Sequence, residues 1–86
     1  MKISTRGRYA VMAMADMAQV TKNGAEGPVS LSDISERQEI SLNYLEQIFG
    51  DLRRAGLVES RRGKAGGYLL AAPLEAIRIG DVIRAV

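Results

Sequence analysis

Residues 31–56 read LSDISERQEISLNYLEQIFGDLRRAG, and they decide the fold. Serines stand where helices can start. Ser32 is placed to cap a short helix with Asp33 in its first turn, where a carboxylate suits the positive end of the helix dipole. Ile34 is its inward anchor. This helix is predicted to end near Gln38, with Glu39 and Ile40 forming a turn. Ser41 then caps a second helix from Leu42 to about Ala55, and Gly56 suits the left-handed residue just past its end. Arg53 and Arg54 fall in its last turn, at the negative end of the dipole. The unit is helix, tight turn, helix.

On the C-terminal side, LVES and YLLA read as two short strands joined by RRGKAGGY, residues 61–68. That is a β-hairpin with a basic, glycine-containing tip. On the N-terminal side, Ser4 or Thr5 can cap a helix running to about Val20, with Tyr9, Met12, Ala13, Met17 and Val20 at helical spacing. Most other positions in it are also small or apolar, so coverage on more than one side is expected. TKNGAEGP, residues 21–28, is a loop. After Pro73, AIRI suggests a short extended segment, and GDVIRAV has the pattern of a helix just beginning. The expected fold is mainly α with a small β-hairpin, a winged helix-turn-helix over residues 1–78. Residues 79–86 would open a truncated dimerisation helix of a longer protein.

Composition removes several function classes. Eighty-six residues allow one small domain. With three Tyr, one Phe and no Trp, the core is aliphatic and platforms for stacking single-stranded bases are scarce. The chain has no Cys and no His, which excludes disulfides, thiolate or imidazole metal sites and Ser/His or Cys/His catalytic pairs within it. An enzyme would need an Asp/Glu/Lys site in a chain too small for a deep cleft, so no enzymatic activity is expected. Gly63-Lys64 is followed by Ala65, and Gly56 lies too far back, so the nucleotide-phosphate loop pattern fails. MKISTRGR followed by YAVMAMA resembles a signal peptide only superficially, because the apolar run is short and meets Asp16. No segment approaches the ~20 apolar residues of a membrane span. A cytoplasmic protein is expected.

The net charge of +2 hides an uneven distribution. Lys2, Arg6 and Arg8 form one basic block, and Arg53, Arg54, Arg61, Arg62 and Lys64 form another against Glu59 alone. Residues 26–51 between them hold six acids and one base, Arg37. Two basic blocks that meet in space would suit a polyanion; two separately solvated ends are the plainer alternative.

On a helical wheel, Leu42, Leu45, Ile48, Phe49 and Leu52 share one face of the second helix. Asn43, Glu46, Gln47, Gly50 and Arg54 share the other. Asn and Gln can bind adenine edges bidentately, Arg can bind guanine, and a carboxylate can accept from the cytosine amine. Gly50 would allow close approach to a groove. An ordinary polar surface is the alternative. Glu46 repels phosphates unless it meets a cytosine, so it can discriminate between sites. In the hairpin tip, Arg62 is the residue expected to probe a minor groove. Arg61, on the opposite face, and Lys64 would neutralise phosphates.

TRGRYAVMAMADMA (5–18), LSDISERQEISLNYLEQIFGDLRRAGLVES (31–60) and RRGKAGGYLLA (61–71) together resemble the IscR-like family, the iron–sulfur cluster regulators among bacterial winged-helix transcription factors. The resemblance spans almost the whole chain. It implies a homodimer that binds specific sequences in double-stranded DNA, with Asn43, Glu46 and Gln47 at base edges in the major groove and Arg62 in the minor groove. Gly63, Tyr44, Ser41, Arg54 and the basic N-terminal residues Arg6 and Arg8 would then lie at the DNA backbone. It further implies control of iron–sulfur cluster or iron/redox genes, with RNA polymerase as a candidate partner. In such regulators a [2Fe–2S] cluster is held by cysteines and a histidine beyond the winged helix, so no cofactor is expected within these residues. Dimerisation runs largely through a long helix after the wing, so this chain alone is expected to be a monomer or weak dimer. One departure is Lys64-Ala65, where close relatives often have Pro-Gly; the tip is less rigid and more cationic. The rival readings are a winged helix used for protein contact, which needs an apolar outer face, and an RNA-binding module, which needs stacking aromatics.

Overall fold

The computed structural model describes residues 2–86. The order is α1 (Thr5–Lys22), α2 (Leu31–Gln38), α3 (Leu42–Arg54), β1 (Val58–Arg61), β2 (Gly67–Leu70), one 3-10 turn (Leu74–Ala76) and α4 (Ile79–Ala85). The chain is mainly α with one small antiparallel hairpin. This is the winged helix-turn-helix that the sequence predicts, with α1 reaching two residues past Val20.

Serine starts each of the first three helices. Ser4, one of the two caps the sequence allows, accepts through Oγ from the Gly7 N–H at 3.0 Å, and Ser41 Oγ accepts from the Tyr44 N–H at 3.1 Å as expected. The second cap differs from expectation. Ser30, not Ser32, accepts from the Asp33 N–H, at 3.1 Å. The cause lies in the neighbouring residue. Val29 forms an isolated bridge with Tyr68, each N–H donating to the other's C=O at 2.9 Å, so the chain stays extended through Ser30 and turns at once into α2.

The turn between α2 and α3 is tight. Glu39 adopts φ 55°, ψ 44°, a left-handed conformation unusual for a residue with a side chain. Ser35 braces it, its hydroxyl donating to Ile40 O at 2.6 Å and its carbonyl accepting from the Ile40 N–H at 3.3 Å. At the far end of α3, Gly56 has φ 78° as predicted for the residue after the cap.

The core joins every helix to the hairpin. Ala10, Ala13, Met14 and Met17 of α1 pack with Ile34, Leu45, Ile48, Phe49, Leu52, Val58 and Val82. Phe49 also packs against Tyr68 of β2, the rings tilted by 53° with centroids 4.9 Å apart. Of the apolar face predicted for α3, Leu45, Ile48, Phe49 and Leu52 are fully buried. Leu42 is not: at 41% exposure it sits in the first turn, beyond the edge of the core.

No strand forms over AIRI. Pro73 instead seeds the 3-10 turn, accepting from the Ala76 N–H at 2.8 Å, and Arg78 is extended only as the residue before α4. That helix starts at Ile79 without a side-chain cap, and buried Val82 makes it part of the same core.

Candidate nucleic-acid interface

Four buried residues fix the rotation of α3 about its axis, and that rotation turns Asn43, Glu46 and Gln47 to solvent together. They lie three and four residues apart, so they form one patch along the first two turns. Ser41 lies immediately before it. No acidic residue occupies the first turn of α3, so its positive dipole end is uncompensated within the helix.

Tyr44 is half-buried, its ring set edge-on to Tyr9 of α1 at 5.5 Å between centroids and 71° between planes. Its ring is therefore spent on packing α3 against α1. Arg8 lies 5.7 Å from the centroid of the Tyr9 ring, at cation–π range, and is otherwise exposed.

One residue from each basic block comes together, and an acid lies between them. Arg6 of α1 and Arg54 of α3 both pair with the carboxylate of Asp51. Hydrogen bonds from Arg6 and then Arg54 hold the Asp51 carboxyl below its ordinary value. The guanidinium of Arg54 folds over Gly50, where an added Cβ would meet it at 3.5 Å. The space above Gly50 is thus occupied, whereas the sequence suggested it was open.

The wing is built by close backbone packing. Its register pairs Val58 with Leu70, Glu59 with Leu69, Ser60 with Tyr68 and Arg61 with Gly67. The tip closes where the Gly66 N–H donates to Gly63 O at 3.0 Å, placing exposed Lys64 and Ala65 at its apex. A Cβ at Gly66 would lie 2.5 Å from Arg61 O, and one at Gly67 would lie 2.2 Å from Val29 O. These two glycines let three backbone segments meet. Arg61 pairs at 2.9 Å with Glu59, its neighbour on the same strand face, and donates to Ser60 O at 3.0 Å. Arg62 begins the tip, outside the ladder. Among the described residues, Arg62 and Lys64 form no ion pair.

Of the candidate residues, Asn43, Glu46, Gln47, Arg62, Gly63, Lys64 and Arg8 are exposed. Arg6, Arg54 and Arg61 are exposed in part but already paired with acids. Sequence reasoning missed Asp51. Its pairing with Arg54 follows the i,i+3 rule, but Arg6 is distant in sequence and gave no signal. Among the described residues, no group of three or more Asp or Glu side chains could hold a metal ion, and no helix is long and apolar enough to cross a membrane.

A family profile described as "Iron-dependent Transcriptional regulator" matches residues 3–86. The chain belongs to the Rrf2 family. It is 57% identical, over its whole length, to the HTH-type transcriptional regulator IscR of Cereibacter sphaeroides, and covers 55% of that protein. It is 56% identical to the IscR of Escherichia coli O1:K1, covering 51%. Among solved structures, T. potens IscR superposes with a TM-score of 0.87 at 51% identity, over all of this chain and 61% of that one. CymR, titled the global cysteine regulator of B. subtilis, superposes with a TM-score of 0.88 at 47% identity, over 99% of this chain and 64% of that one. The chain thus spans little more than half the length of these curated Rrf2 relatives. They are named as transcriptional regulators, not as enzymes.

Proposed function

We propose that this chain is the DNA-binding part of a bacterial, cytoplasmic transcriptional regulator that reads duplex sequence. The observation that carries it is the outer face of α3: Asn43, Glu46 and Gln47 exposed side by side on a helix pinned by four fully buried residues. Side chains of these types suit adenine and cytosine edges, and a rigidly held helix delivers them in register. Ser41, at the uncompensated end of α3, and the half-buried Tyr44 beside it suit phosphates. Arg62, without an acidic partner in the described chain, enters the minor groove. Gly63, Lys64 and Arg8 lie along the backbone, with Arg6, Arg54 and Arg61 as further contacts once released from their carboxylates.

Regulation of iron–sulfur or iron/redox genes is part of this proposal, and the family description, an iron-dependent transcriptional regulator, is what supports it. The signal is a separate matter, because a structure this similar is titled a cysteine regulator. These residues do not fit an iron–sulfur cluster: without Cys or His they lack its usual ligands. A [2Fe–2S] cluster would be held by a longer chain beyond α4. Dimerisation is assigned to the same region. Without that region these residues alone are expected to be a monomer or weak dimer, and Ile79, 62% exposed beside an apolar groove lined by Val11, Met14, Ala15 and Val82, is apolar surface available for it to cover. The protein-contact alternative needs an apolar outer face on α3, and the exposed large hydrophobic of that helix, Leu42, lies on the inner face's first turn instead.

Fluorescence anisotropy tests the proposal, comparing a random duplex with one selected on this protein across a salt series. A steep salt slope with a large selected-to-random ratio is the expected result. Absence of binding at low salt would overturn it in favour of protein contact.

A further inference from the structure

We propose that Asp51 restrains indiscriminate binding, holding Arg6 and Arg54 back from the phosphates of a duplex that is not docked in register. This inference rests on the DNA-binding reading above. Three observations carry it. Arg6 and Arg54 come from different helices, yet their guanidiniums converge on one carboxylate. That carboxylate is the most covered of the three groups, with 23% of its side chain exposed against 32% for Arg6 and 67% for Arg54. The arginines, Arg54 above all, are therefore more accessible to an approaching polyanion than the acid that holds them. Finally, Asp51 sits one turn from Gln47 on the same helix, so it borders the base-reading patch.

The consequence is electrostatic. Together the three side chains carry +1, where the two arginines alone would carry +2. A phosphate that takes either arginine must compete with a carboxylate already in contact. On a random duplex nothing offsets that competition. On the correct sequence, contacts from Asn43, Glu46 and Gln47 fix the register and bring phosphates to the arginines. Asp51 then contributes to specificity by weakening the wrong complex more than the right one.

Asp51→Asn keeps the shape and removes the charge. It is expected to raise affinity for the random duplex, by up to about eightfold per arginine freed at ~0.1 M salt, and to steepen the salt slope by about 0.9 per arginine. The selected duplex should gain less, so the ratio falls. Asp51→Glu should retain the wild-type slope, and adding Arg6→Ala to Asp51→Asn should remove about half of the steepening. Circular dichroism melts verify folding, and Asp51→Ser serves as the neutral variant if Asn does not fold. Equal slopes and ratios for wild type and Asp51→Asn would overturn the inference and leave Asp51 a tie between α1 and α3. So would weaker binding to both duplexes with a shallower slope, which would mean that Asp51 presents the arginines to phosphate. If neither wild type nor Asp51→Asn binds any duplex, the DNA-binding reading itself fails and this inference with it.

Discussion

Arg37 grips Asp16 with two hydrogen bonds, Nε to Oδ2 at 2.9 Å and Nη2 to Oδ1 at 2.7 Å, and so ties α2 to α1. Gln38 adds a third at 2.9 Å. Burial alone would push the Asp16 carboxyl up, but the hydrogen bonds from Arg37 and Gln38 and the charge of Arg37 together bring it below its ordinary value. A carboxylate lowered on folding stabilises the fold above its unfolded value, ~3.9, and that contribution is lost as pH falls through the lower folded value. Arg37→Ala leaves a buried carboxylate held by Gln38 alone. Because Arg37 is partly exposed, the cost should sit below that of a fully buried pair, at about 2–3 kcal/mol near neutral pH. Urea titrations should show the gap between wild type and Arg37→Ala narrowing below about pH 4. A gap of constant size down to pH 3 would mean that the ion pair does not carry the effect.

Glu39 pays for the sharpness of the turn. Its left-handed backbone costs roughly 1–2 kcal/mol in a residue with a Cβ. Glycine removes that cost but adds entropy to the unfolded chain, about 0.4–1 kcal/mol. Glu39→Gly should therefore stabilise the protein by about 0.5–1 kcal/mol, read as a higher urea midpoint at unchanged slope. A lower midpoint would show that the Glu39 side chain supports the turn.

Gly67→Ala tests how the wing is attached. The new Cβ would overlap Val29 O, and both partners are backbone held in mutual hydrogen bonds, so neither yields cheaply. A loss of about 1–3 kcal/mol is expected, with faster amide exchange at Val29 and Tyr68. Unchanged exchange at those two amides would mean that the hairpin does not depend on this bridge.

What was legible in the sequence was local. Caps, apolar spacing and Gly56 encode the helix-turn-helix within a few residues, and Leu45, Ile48, Phe49 and Leu52 turn inward as their spacing requires. What was hidden depends on contacts distant along the chain. Ser32 reads as the cap of α2 in sequence; the Val29–Tyr68 bridge moves the cap to Ser30. The outer patch of α3 could be read from a wheel, but the state of its flanking cations could not. Arg6 looks free in sequence, and its acid, Asp51, comes from a helix 45 residues on.

Arg62 has no such acid among the described residues, which sets it apart from Arg61. If it enters a minor groove, it gains most where that groove is narrow and its negative potential concentrated. Arg62→Ala should weaken binding about tenfold on sites with A-tract flanks and less on G·C-rich flanks. Anisotropy titrations on matched duplexes check this. Equal losses on every flank would make Arg62 a plain phosphate contact.

Glu46 carries the sharper prediction, because its two effects have opposite signs. It is an exposed acid in the middle of the patch proposed to meet a polyanion. Against phosphates alone it weakens every complex. Against a cytosine amine it accepts a hydrogen bond and recovers that loss at one base pair. Glu46→Ala should therefore raise affinity for random duplex while costing about 1–3 kcal/mol of discrimination at the cytosine position. Selection of bound sequences by wild type and variant reads the second effect, and the salt series reads the first. A variant that binds random duplex more tightly with an unchanged base preference would reduce Glu46 to a surface charge. A variant that loses preference without gaining random affinity would place Glu46 at a base but away from the phosphates. Only both changes together support discrimination by attraction and repulsion at once.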